Sequence, residues 1–169
     1  MPYHHAGPFR LYIVIQRGET MKKDDELMIK GSLEAVLIKG DGTVMTRRKD
    51  NLILNVGFDF ICNALADASS RPAVMGYTAV GTGNTAAAAT QTALVTELSR
   101  KAATYEHTTG TKRFTLTTTF NAGEATGAIT EAGICNAYSG GIFLDRVTFD
   151  VINKAAADVL TTTFRFTLS

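Results

Sequence analysis

Residues 113–169 alternate apolar and polar side chains in four short runs separated by turn signals. A period of two admits strands with one buried face and little else. Phe114, Leu116, Thr118 and Phe120 fall on one side of the first run, and Leu160, Thr162, Phe164, Phe166 and Leu168 on one side of the last. Between them, 128–137 and 142–152 are joined through Tyr138-Ser139-Gly140-Gly141, whose glycines suit a tight hairpin. The pattern predicts a mainly β protein, an antiparallel β-sandwich of jelly-roll type with one or two short helices and an N-terminal arm.

Upstream, residues 27–39 and 43–55 flank Gly40-Asp41-Gly42, the clearest hairpin in the chain. Its second strand runs into 56–68, where Phe58, Ile61, Cys62 and Leu65 share one face at helical spacing. A helix of about three turns is expected there, ended by Ser69-Ser70-Arg71-Pro72. Residues 75–80 read as a strand, and 92–101 fits either a helix or a strand, with Glu97 and Arg100 placed for a surface pair if helical. Tyr105-Glu106-His107 leads through the turn at 108–111 into the final runs. The domain division is therefore 1–26 as arm or leader and 27–169 as the sandwich.

Within the leader, Leu11, Tyr12, Ile13, Val14 and Ile15 read as an edge-pairing strand, and with Leu27 and Ile29 they are the expected contact arm toward a neighbour. That run is far shorter than the roughly 18 apolar residues of a membrane span, and no small-residue cleavage site marks it as a signal peptide. Gly18-Glu19 can be encoded by a ribosome-binding sequence shortly before Met21, so a natural start at Met21 competes with one at Met1.

Chemistry is sparse. A chain of 169 residues can bury a core without staples. Cys62 and Cys135 have no CxxC or histidine partner at ligand spacing, so they read as small buried hydrophobes and no metal is expected. Asp24, Asp25 and Glu26 are adjacent rather than spaced as calcium ligands. A net charge of +1 argues against a nucleic-acid partner, which needs a clustered basic surface. Arg47-Arg48-Lys49, with Asp50 beside it, reads as a solvated hairpin end.

Gly81-Thr82-Gly83-Asn84-Thr85-Ala86 fits G-x-G-x-x-A, the pattern of a dinucleotide loop. The required βαβ alternation does not follow it, so it is read as a glycine-permitted loop and no cofactor is expected. His107 has no nucleophile or acid at a motif spacing. Glu124, Glu131 and Asp145 are the candidate members of a glycosidase carboxylate pair, but Glu124 falls in the 121–127 loop and the chain has no tryptophan to stack on a sugar. No catalytic, cofactor or metal residue is assigned.

Three segments taken in order carry a family resemblance. They are Val80-Gly81-Thr82-Gly83-Asn84-Thr85, then Thr92-Ala93-Leu94 with Glu97 and Arg100, then the run from Phe120 through Glu124, Gly127 and Glu131 to Ile134. The ending from Leu144-Asp145-Arg146 to Leu168 completes the set, and Asn51-Leu52-Ile53-Leu54-Asn55-Val56-Gly57 matches the lead-in. In this order the chain resembles bacteriophage virion proteins of the tail-fibre-like, small jelly-roll type. The resemblance implies a non-enzymatic, oligomeric structural part, with trimers favoured, assembled in the host cytoplasm and resident in the virion. The last strand ends at Ser169 with no shaft or tip after it, which favours a capsid decoration protein over a baseplate or fibre-attachment piece. A small carbohydrate-binding module is the reading from a different class. The expected contact loops are Gly81, Thr82, Gly83 and Asn84, then Glu124, Thr126 and Tyr138. Other virion proteins are the expected partners, with no nucleic acid and no membrane.

Overall fold

The computed structural model describes residues 27–169. It contains nine strands and one helix: β1 (Ile29–Ile38), β2 (Val44–Ile53), α1 (Asn55–Ala66), β3 (Tyr77–Gly81), β4 (Glu97–Ala102), β5 (Thr104–His107), β6 (Arg113–Phe120), β7 (Gly127–Cys135), β8 (Asp145–Lys154) and β9 (Val159–Leu168). The fold is mainly β, as the alternating runs require. The arm residues Leu11 to Ile15 lie outside the described residues.

All nine strands belong to one antiparallel sheet in the order β4-β3-β7-β8-β2-β1-β9-β6-β5. The two end strands, β4 and β5, are separated only by Ala103, so one length of backbone pairs with β3 over its first half and with β6 over its second. A strand that bends at a corner lets a sheet turn back on itself. The Thr118 hydroxyl on β6 donates to the Thr78 hydroxyl on β3 at 2.8 Å and ties the turned sheet across its inside. At the opposite corner β2 meets β8 through two residue pairs alone, Leu52 with Arg146 and Ile53 with Asp145. The sheet is thus nearly a barrel, firmly joined at one corner and thinly at the other.

The inward residues of β6 and β9 are those that the period of two selects: Leu116, Phe120, Leu160, Phe164 and Phe166 are buried together with Leu33 and Leu37 of β1 and Ile129 and Ile152 across the interior. Phe166 stacks on Phe114 with ring centroids 5.0 Å apart. A smaller cluster of Leu54, Ala79, Leu94, Cys135 and Phe143 sits beneath α1.

Residues 97–102 are a strand, so the second half of the ambiguous segment 92–101 is extended while 92–96 is irregular, and the Glu97–Arg100 pair forms without a helix. The helix occurs where its period places it, but its orientation differs from expectation. Gly57 and Phe60 are the buried positions, while Phe58 and Leu65 are 48% and 72% exposed and Cys62 is exposed. The cause is Gly57: having no side chain, it lets the helix press its backbone against Leu144, and that contact overrides the larger apolar stripe. Arg47-Arg48-Lys49 also departs from expectation, because it lies in the middle of β2 rather than at the hairpin end.

Candidate functional site

The glycine-rich segment after β3 is organised by a buried ion pair. Glu131 on β7 and Arg146 on β8 are both fully inaccessible to solvent and meet at 2.8 Å. Such a pair persists only where its remaining hydrogen-bonding capacity is filled, and here it is filled by the loop 82–96. Glu131 Oε1 accepts from the backbone N–H of Gly83 (3.0 Å) and Thr96 (2.7 Å), and Oε2 accepts from Val95 N–H at 3.0 Å. Arg146 donates to the Gln91 side-chain oxygen and to the Thr85 carbonyl, each at 2.9 Å.

The spacing of the two glycines has the same origin. A Cβ on Gly81 would stand 2.6 Å from Glu131 Oε1, and one on Gly83 would stand 2.5 Å from the same oxygen. The G-x-G pattern thus clears space for a buried carboxylate of the protein itself. The oxygen that a dinucleotide's phosphate would supply in a nucleotide-binding loop is here the side chain of Glu131.

A second arginine holds the 137–141 turn. Arg100 makes a two-pronged pair with Glu97 (2.9 and 2.7 Å) and donates to the carbonyls of Ala137 (2.7 Å) and Gly140 (2.8 Å). Its guanidinium lies 5.1 Å from the centre of the Phe143 ring. The hydrogen bonds it donates to the Glu97 carboxylate hold the Arg100 pKa above its ordinary value. Burial pushes the neighbouring Cys135 thiol up to about 11, so it stays protonated as a core residue.

Glu124 closes its own loop by accepting from Asn121 N–H at 2.7 Å and pairing with Lys101. The Lys101 ammonium is the main reason its carboxyl titrates below the usual range.

These contacts place each residue singled out in the sequence. Gly81 and Gly83 are buried, whereas Thr82, Asn84, Thr126 and Tyr138 are exposed. Tyr138 rests edge-on against Tyr77 with centroids 6.2 Å apart. Leu27 is exposed, and Ile29 is half-buried against the main core. Glu124, Glu131 and Asp145 share no cleft, since the last two are wholly buried. The roles of Glu131 and Arg146 were not legible from spacing, because the pair joins two strands and a distant loop. The one sequence signal was Glu131, a single charge in the otherwise uncharged run of β7.

Asp145 sits at the thin β2–β8 corner. It accepts from Ile134 N–H at 2.9 Å and from the Asn51 amide at 2.6 Å. Burial dominates these bonds and raises its pKa to about 7. The unfolded carboxyl titrates near 3.9, so between about pH 4 and pH 7 the native state holds the extra proton. Stability from this group is therefore highest at the acid end of that window, falls as pH rises through it, and is level above it. Urea midpoints should be higher at pH 5 than at pH 8, and Asp145→Asn should remove that difference. An unchanged pH response in the variant would assign the slope elsewhere.

Among the described residues no three of His, Cys, Asp and Glu gather as a metal site would require, and no helix is long and apolar enough to cross a membrane. No family model, curated protein or solved structure matches the chain.

Proposed function

We propose that the protein is a non-enzymatic structural component of a bacteriophage particle, a capsid decoration protein that binds the head surface as a homotrimer. The observation that carries the assembly reading is the set of apolar side chains turned to solvent around α1 and the start of β1. Leu27, Met28, Leu52, Phe58 and Leu65 are all exposed. Ile29, Leu52 and Phe58 line one shallow groove. Exposed apolar area of this kind is covered in assembled proteins. The family-like residues Gly81, Gly83, Glu97, Arg100, Glu131 and Arg146 support the same reading by what they do, since all of them brace loops against the sheet.

In this reading β2-β1-β9-β6-β5 and β4-β3-β7-β8 act as the two layers of a jelly-roll-like sandwich. The cross-sheet contact from Thr118 to Thr78 favours it.

Sedimentation of the purified chain should give a trimer, and Phe58→Glu with Leu65→Glu should yield folded monomer. A wild-type monomer at micromolar concentration would overturn the assembly reading. Deleting residues 1–26 should leave the fold intact while abolishing particle binding. The cut must stop there, because Ile29 and Lys30 already pair with Leu168 and Thr167. Copies per particle then separate a head protein from a tail baseplate or fibre-attachment piece.

A further inference from the structure

From their two-pair junction, β2 and β8 diverge. Over residues 44–51 β2 pairs with β1 alone, and over residues 147–154 the only partner of β8 among the described residues is β7. A row of backbone N–H and C=O groups on β2 is therefore left facing a cleft of about 380 Å³. Such an edge is a ready template for an incoming strand.

The side chains on this edge determine what kind of strand fits. Paired residues of antiparallel strands project from the same face. Arg47 pairs with Ala35 and Lys49 with Leu33, and both partners are buried in the core. Arg47 and Lys49 thus stand on the core-side face of the sheet and line the cleft beside β8, Arg47 half-buried and Lys49 exposed to solvent at its mouth. Arg48 projects from the opposite face and is paired with Glu34.

Arg47 and Lys49 have no acid of their own among the described residues. Neither forms an ion pair among the described residues, although Asp150 lines the same cleft. Among the described residues, Arg47 Nε is buried with no acceptor, and its side chain donates one hydrogen bond, to the Thr46 carbonyl at 3.3 Å. A buried guanidinium nitrogen without an acceptor is costly. A carboxylate entering the cleft supplies the missing acceptor.

We propose that the open edge of β2 is a docking site for an acidic extended segment of another polypeptide, which adds as a strand along residues 44–51 and sets its carboxylates against Arg47 and Lys49. The unpaired backbone supplies main-chain hydrogen bonds that a free anion would leave unused. Half-buried Phe149 on the far wall gives an apolar side chain of the segment a surface to pack on. These cations also repel basic strands and penalise apolar ones, so the same two residues give the edge its selectivity. Docking here needs only the open edge and its cations, whatever particle or complex the protein serves.

The test is fluorescence anisotropy on the full chain with a labelled, N-acetylated peptide of alternating Glu and Val. Micromolar binding is expected, falling at least about tenfold in Arg47→Gln/Lys49→Gln and in high salt. A peptide of the same sequence with N-methylated backbone should bind weakly, because it cannot complete the ladder. Equal binding by an alternating Lys and Val peptide, or by the N-methylated peptide, would overturn strand addition. Displacement by equimolar inorganic phosphate would reduce the site to a simple anion site and likewise overturn it. The urea midpoint of the double variant checks its fold; should it not fold, an affinity of the wild-type chain that does not change with salt would refute the role of the cations.

Discussion

Arg146→Ala should lower folding stability by about 3–5 kcal/mol, because removing one partner of a fully buried ion pair strands the other charge. Urea unfolding measures this directly, and a variant as stable as the wild type would refute the structural role of the pair. The expected loss extends beyond the two side chains. Arg146 also holds Gln91 and the Thr85 carbonyl, and Glu131 holds three backbone N–H groups. The loop 82–96 should therefore lose hydrogen-exchange protection before the sheet does.

A paired replacement discriminates further. Substituting both members of a buried ion pair with apolar residues of similar volume is often harmless. Here Glu131→Leu with Arg146→Met should not rescue stability, since it leaves Gly83, Val95 and Thr96 N–H without their acceptor. A double variant with wild-type stability would show that the loop finds other partners.

Gly57→Ala is the second large effect, and its sign separates local from tertiary control. Alanine is favoured over glycine within a helix by about 1 kcal/mol, so helix propensity alone predicts a more stable protein. The new Cβ would stand 2.9 Å from the Leu144 carbonyl carbon and 3.0 Å from its Cα, and closer still to its oxygen. Backbone cannot rotate away as a side chain can, so α1 would have to lift from the 143–144 segment. That movement would strain the Leu54 N–H to Leu144 carbonyl bond and the Asn55 N–H to Ala89 carbonyl bond. A net loss of about 2 kcal/mol or more is expected, in line with overpacked cores, which corresponds to roughly 4–8 °C in a chain of this size. A raised melting temperature would show that the helix shifts freely.

The strands were legible because their signal is local. A period of two in 113–169 and turn residues at 40–42 and 138–141 are properties of consecutive residues, and they marked β1, β2, β6, β7 and β9 closely. Helix α1 was legible in extent for the same reason. Its orientation was not, because the contact that sets it joins Gly57 to Leu144, a residue far along the chain. Periodicity ranks faces by apolar content, and a glycine that permits close backbone approach carries no apolar content to rank.

The clamp shows the same division in the candidate site. From sequence, Gly81 and Gly83 belonged to a loop free to meet a partner, and Glu131 was a strand carboxylate of unknown facing. By itself the sequence determined a β-rich chain with one helix and a glycine-bearing loop after β3, since these follow from spacing and turn chemistry. Only the tertiary structure decided that the loop closes over Glu131 and Arg146, that Phe58 and Leu65 face outward, and that Arg47 and Lys49 stand on the core-side face at an open edge. Each of those outcomes depends on which distant strands become neighbours, a property of long-range pairing that no window of local sequence contains.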